Sequence, residues 1–261
     1  MNNSFQAIIF DLDDTLIVEW ESAQISFIET ISSLDISIDG NTFVKTIRDE
    51  ARKIWYGLPT IKYCLRIGIS SWEALWGDFT EEDKNLIKLK GLAQEYRHNS
   101  WRNALSKYGI NDFDIAIKLS DDFKRIRNQK HILFADTMDC LKKLKNNYQI
   151  GLITNGAPDI QWKKINGGGL ASYFDQIIIS GEFGIGKPDA SIFYEMLKKL
   201  DVEVPNALMI GDSIKTDIKG SNEIGLKNIW INRDNKENSS SDIQPDYEIS
   251  SLKNISKIIQ L

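Results

Sequence analysis

Four aspartates and one lysine carry most of the chemistry that this chain offers. Asp11 and Asp13 end one apolar run, Asp212 and Asp217 follow another, and Lys187 closes a glycine-rich stretch. A polar run, Thr154-Asn155-Gly156, ends a further apolar segment. Taken singly, any of these aspartates is an ordinary turn residue or helix cap. Taken jointly, they need another reason, because two bare charges at about 4 Å repel by roughly 4 kcal/mol at an effective dielectric of 20. Such a cluster calls for a hard divalent cation, a lysine, or both, and all-oxygen donors favour Mg²⁺ over zinc or copper.

The elements that must position these groups are legible as apolar patterns. Ala7-Ile8-Ile9-Phe10 is short, β-branched at its centre and uninterrupted, as in a strand buried on both faces. From about residue 17 to about 134 the apolar residues recur at helical spacing, over 22–34, 42–56, 86–108 and 112–127. Asn41 and the pair Thr80/Asp83 serve as helix starts there, while Gly57 and Pro59 break one helix from the next. Beyond residue 135 strands and helices alternate. A helix capped by Asp136 or Thr137 ends near Asn146; strands follow at 149–154, 176–180, 207–210 and 228–231, with helices at 159–165, 190–200 and 214–224. Residues 233–246 form a polar, solvated loop before a short strand at Tyr247-Glu248-Ile249 and a last helix. This alternation predicts a doubly wound α/β fold with a parallel sheet. The isolated first strand implies one α/β domain, residues 1–16 and 135–261, interrupted by an all-helical domain, residues 17–134. Open parallel sheets form their active crevice at the carboxyl ends of the strands, where every group named above falls.

The ordered set Phe10-Asp11-Leu12-Asp13-Asp14-Thr15, Thr154-Asn155-Gly156, Lys187-Pro188-Asp189, and Gly211-Asp212-Ser213 with Thr216-Asp217 resembles the haloacid dehalogenase superfamily of phosphohydrolases. The likeness covers the whole chain, since a helical cap between the first two motifs is also a trait of the family. Within it, the chain is similar to bacterial cap-bearing phosphatases, some labelled phosphoserine phosphatases. The resemblance implies Mg²⁺-dependent hydrolysis of a small phosphate monoester through an aspartyl-phosphate on Asp11. Asp13 would protonate the leaving oxygen and then activate water, neighbouring carboxylates favouring its protonated form. Thr154 and the N–H groups of Asn155 and Gly156 would hold the phosphoryl oxygens, and Lys187 would offset charge. Asp11, the Asp13 carbonyl and Asp212 would bind the metal, with Asp217 either near it or holding Lys187. An Asp at position 13 separates phosphatases and phosphomutases from dehalogenases and from the P-type pumps. A phosphomutase, or a non-catalytic small-molecule-binding protein on the same fold, is the alternative.

Composition agrees with a soluble enzyme. The 261 residues are 42% hydrophobic and 26% charged, with a net charge of −5. That balance excludes bulk disorder and argues against nucleic acid or a polybasic membrane surface, while the resemblance implies a small phosphorylated metabolite as partner. Two isolated cysteines fit a reducing, cytoplasmic setting, and neither a leader pattern at the start nor an apolar run long enough for a membrane is present. The stretch from Gly181 to Lys187 mimics a nucleotide-binding loop, but Pro188 stands where a hydroxyl should reach the metal. The three glycines at 167–169 read as a helix stop, His98 and His131 lack metal-ligand spacing, and most tryptophans of the insert read as packing, with Trp20 near enough to the first motif to line a pocket. Arg97, Arg102 and Lys62 are surface cations, any one of which could read a substrate carboxylate.

Overall fold

The computed structural model describes residues 5–34, 38–238, 240 and 242–259. The start read above as lacking a leader (residues 1–4), together with Ser239 and Ser241 of the polar loop, lies outside them. The chain divides into two compact units: Met1–Val18, Ile132–Asn155 and Gly168–Leu261 form the first, Glu19–His131 and Gly156–Gly167 the second. In chain order, β1 (Ala7–Phe10) precedes α1 (Glu19–Ile31), α2 (Gly40–Trp55), α3 (Ile61–Ile67), α4 (Lys84–Ser106) and α5 (Phe113–Arg127). There follow α6 (Thr137–Lys145), β2 (Gln149–Thr154), α7 (Pro158–Gly167), β3 (Gln176–Ile179), α8 (Ser180–Phe183) and α9 (Ala190–Leu200). The chain continues through β4 (Ala207–Gly211), α10 (Lys219–Glu223), β5 (Lys227–Ile231) and β6 (Tyr247–Ile249). No described helix is long and apolar enough to cross a membrane.

The first unit is a parallel sheet of six strands in the order β3-β2-β1-β4-β5-β6, flanked by helices. All four β1 residues are fully buried, which accounts for the uninterrupted apolar run. On one face, Ala7, Ile9 and Ile153 pack with Ile192, Phe193 and Met196 of α9. Phe10 lies level with Leu152 of β2 and Ile210 of β4, so the ends of these three neighbouring strands stand side by side. The order reverses at β1, and that reversal opens a crevice at the strand ends.

Several local expectations are corrected. The helix over 214–224 begins instead as a wide π-turn, Ile214–Ile218, before α10. The Ser213 carbonyl accepts from both Asp217 and Ile218 there, at 2.9 and 3.2 Å. The last helix is a 3₁₀ segment, Leu252–Lys257. Asp39 rather than Asn41 caps α2, accepting from the Thr42 N–H at 2.7 Å. Asp83 caps α4 by itself. Asp136 precedes α6 but does not cap it; its carboxylate accepts from Arg233, Ser251 and the Leu252 N–H instead. Arg233, expected in solvent at the start of the polar loop, is therefore only 15% exposed.

The second unit is all-helical. Phe27 of α1 stacks on Phe123 of α5 with ring centroids 4.0 Å apart, and Phe43 of α2 leans on Trp101 of α4 at 5.6 Å. Trp55 and Trp76 are also buried, as packing requires, whereas Trp20 stands 37% exposed. The helix α7 belongs here because Ile160 joins this core and Lys164 is fully buried against it. The Lys164 ammonium pairs with Glu73 at 2.8 Å and Glu19 at 3.1 Å, while Arg127 pairs with Glu19 at 2.5 Å. Division by sequence alone places these twelve residues, 156–167, with the sheet. Arg97 does not face solvent for a substrate: it donates to the carbonyls of Ala74 and Gly77 and so clamps a loop.

Candidate active site

Asp11 is the first residue beyond β1, and its N–H continues the ladder by donating to the Ile210 carbonyl at 2.9 Å. Both carboxylate oxygens are engaged. One accepts from Lys187 Nζ at 2.6 Å and the other from Thr15 Oγ1 at 3.1 Å. Thr15 reaches back because the chain turns tightly after Asp11, with Leu16 and Ile17 both donating to the Leu12 carbonyl and Asp14 at φ 55°. Aspartate tolerates that left-handed conformation better than most residues. Arg233 secures the turn by donating to the Thr15 carbonyl at 2.9 Å. Asp13 lies within it, partly exposed, and bridges to Ile17.

Lys187 is buried, and its ammonium has three acceptors: Asp11 at 2.6 Å, Asp217 at 2.7 Å and the Ile153 carbonyl at 2.7 Å. Burial alone disfavours its charge, but Asp11 and Asp217 outweigh that and hold it protonated well above the ordinary lysine range. Its backbone is clamped too. The Lys187 N–H donates to Asn155 Oδ1, and Asn155 Nδ2 donates back to the Lys187 carbonyl, both at 2.8 Å. A Cβ on Gly186 would fall 2.6 Å from that Asn155 oxygen, so only glycine admits the clamp.

Asp212 follows β4 directly, and the Trp230 indole holds its carbonyl at 2.8 Å. Asp217 turns back from the π-turn, accepting from the Ser213 N–H at 3.0 Å with one oxygen and meeting Lys187 with the other. A Cβ on Gly211 would lie 2.3 Å from the Asp217 carboxyl carbon, which explains the glycine. Asp11, Asp212 and Asp217 each offer an oxygen within 4.8 Å of the others. Burial, then Asp11, Asp217 and Asp14, push the Asp212 carboxyl well above the usual range. Asp217 is pushed up to about 6, burial and Asp11 working against Lys187. Among the described residues no hydrogen bond or ion pair holds the Asp212 carboxylate, and Lys187 offsets the like charges around it only in part. This donor set fits a hard dication.

The structure thus gathers Asp11, Lys187, Asp212 and Asp217 within the first unit. The Asp13 carboxylate is not in the metal-type cluster; its expected contribution there is a backbone carbonyl. Thr154 is fully buried at the end of β2, next to β1. The Asn155 side chain serves the Lys187 backbone. Gly156, at φ 145°, opens the second unit against the Gln161 side chain. Sequence reasoning missed the roles of Thr15, Trp230 and Arg233; none carries a periodic or charge signal that marks it.

Comparison with known proteins gives the family. The chain belongs to the haloacid dehalogenase-like hydrolases, whose family model matches residues 5–225. It is 28% identical over 249 residues to the phosphoserine phosphatase of Thermus thermophilus, covering 95% of this chain and 96% of that protein. It is 33% identical over 186 residues to the pyrimidine 5'-nucleotidase YjjG of Escherichia coli, covering 71% and 77%. The magnesium-bound crystal structure of the putative HAD-hydrolase YfnB of Bacillus subtilis superposes with a TM-score of 0.69 over 98% of this chain and 99% of that one. At 22% identity that last likeness is one of fold. The protein is an enzyme of the phosphatase type within this family.

Proposed function

We propose that the protein hydrolyses a small-molecule phosphate monoester, with Mg²⁺, through a phosphoryl group carried on Asp11. The observation that carries this reading is the Asp11 carboxylate, oriented by Lys187 and Thr15 beside an Asp212 carboxyl that burial and neighbouring carboxylates push well above the usual range. An oxygen of Asp11 bonds to phosphorus while the ester P–O bond breaks, and the leaving oxygen takes a proton from Asp13. Water then attacks the phosphoryl group and gives a proton back to Asp13. The bond to Asp11 breaks and inorganic phosphate leaves. Lys187 stays charged throughout and offsets the anionic phosphoryl oxygens. Thr154 and the N–H groups of Asn155 and Gly156 take those oxygens.

Asp11, Asp212 and the Asp13 carbonyl would hold the metal, with Asp217 beside them in the same cluster and holding Lys187 through one oxygen. When bound there, Mg²⁺ supplies positive charge to the transferring group. The helical unit takes the role of the family's cap and selects the leaving group. The named relatives put phosphoserine and nucleotides in the substrate panel, to which sugar phosphates are added. Two unpaired buried thiols, Cys64 and Cys140, support a cytoplasmic setting.

The test is release of free phosphate from p-nitrophenyl phosphate and from that panel. Wild type releases phosphate with Mg²⁺ and not with EDTA, and Asp11→Asn removes turnover. Retained activity in pure Asp11→Asn protein would sink the reading. Transfer of phosphate to a sugar, without release, would mark a mutase.

A further inference from the structure

The helical unit carries a groove that the hydrolytic reading does not use. It lies between the start of α1 and one face of α2 and has a volume of about 340 Å³, within the range of small-ligand pockets. The Arg48 guanidinium sits 4.1 Å from the centre of the Trp20 ring, and Trp72 braces that ring edge-on at 6.2 Å. Stacking fixes the plane of the guanidinium while leaving its N–H fork to be directed at a partner. Buried Val44 adds an apolar wall.

Charge in this groove is unbalanced. Lys45, Arg48 and Arg52 recur at helical spacing on one face of α2 and all line it. Among the described residues Asp49 is the one carboxylate in the lining. Among the described residues none of the three cations forms an ion pair. Burial, and then the neighbouring Arg52, lower the proton affinity of Arg48, with Asp49 offsetting in part. Clustered cations with a stacked, pre-oriented fork are the arrangement that recognises a carboxylate or phosphate bidentately.

We infer that the Trp20–Arg48 groove binds a small molecule whose carboxylate or phosphate meets Arg48 and whose planar or apolar body lies on Trp20 and Val44. The test follows the indole N–H resonances of the full chain by NMR, with the Trp20 signal assigned through Trp20→Phe. Benzoate is the probe, and benzyl alcohol its uncharged control. Benzoate should shift the Trp20 signal saturably and benzyl alcohol should not. Arg48→Gln should weaken benzoate binding about tenfold, the loss of a charge-assisted hydrogen bond. Arg66→Gln removes a guanidinium that lies over the Tyr63 ring at 5.4 Å and should leave binding unchanged. Unmoved signals from the buried Trp55, Trp76 and Trp101 show that the Arg48 variant is folded. Equal response to the alcohol, or wild-type affinity in Arg48→Gln, would overturn the inference.

A kinetic arm, which rests on the hydrolytic reading, separates two sources of the anionic group. If the group belongs to the substrate, Arg48→Gln raises KM for O-phosphoserine and not for p-nitrophenyl phosphate. If it belongs to an effector, benzoate changes wild-type kcat/KM for p-nitrophenyl phosphate and leaves the variant unaffected. Absence of turnover by wild type would count against the hydrolytic reading alone, because the NMR result does not depend on it.

Discussion

A buried lysine between two carboxylates works only if its backbone is as well fixed as its charge, and here Asn155 does the fixing. Asn155→Ala removes both bonds to the Lys187 backbone. It should lower kcat by about 10–100-fold through misplacement of the ammonium, with a stability loss of only about 1–2 kcal/mol. Steady-state kinetics and urea unfolding separate the two effects; an unchanged kcat would show that the clamp is dispensable. Asp11, Lys187 and Asp212 were legible in the sequence because each directly ends a strand or closes a turn after one. The clamp was not, because its partners are 32 residues apart and lie in two loops with no periodicity. Arg233 was misread for a related reason: a polar, Ser-rich neighbourhood hides the one member that turns inward to Asp136 and Thr15.

At the scale of elements, α7 shows where pattern reading stops. Ile160 and Lys164 share a helix face by spacing, and both are fully buried. A lysine on an apolar face says that partners must exist, but Glu19 and Glu73 come from distant segments. Lys164→Ala leaves those carboxylates without their shared ammonium, although Arg127 stays on Glu19, and should destabilise the protein by about 3–5 kcal/mol. Urea unfolding gives the value, and a loss below about 1 kcal/mol would contradict a buried network. The same cluster sets an acid response. Burial works against the Glu19 charge, yet Lys164 and Arg127 hold its carboxyl below the ordinary range. A depressed folded pKa contributes stability fully above the unfolded value of about 4.3 and loses it as pH falls through the folded value. The stability gap between wild type and Glu19→Gln should therefore narrow as pH drops below about 4.3. A gap independent of pH would mean that Glu19 contributes packing alone.

Across the whole molecule, topology gathers the site. Placing β1 at the centre brings three strand ends together from residues scattered along the chain, and the strand pattern alone predicted that gathering. The helical unit was legible as helices, but its packing, the assignment of α7 and the Trp20–Arg48 groove depend on contacts far apart in sequence. The acidic cluster gives the molecule a built-in metal response. Mg²⁺ should raise the unfolding temperature of wild type, with about 2.7 kcal/mol gained at a hundredfold excess over Kd. Asp212→Asn should abolish that gain while stabilising the metal-free protein, since it removes a carboxylate that like charges oppose. A Mg²⁺ shift that survives in Asp212→Asn would place the ion elsewhere. The central claim is that Asp11 carries the phosphoryl group, and mass spectrometry of acid-quenched turnover tests it most directly. With p-nitrophenyl phosphate, whose leaving group needs no acid, the Asp11 peptide should gain the mass of one phosphoryl group, lose it to hydroxylamine, and accumulate it further in Asp13→Asn, where its hydrolysis lacks a base. Steady phosphate release with no label on Asp11 in either protein, or label on another residue, would contradict the account.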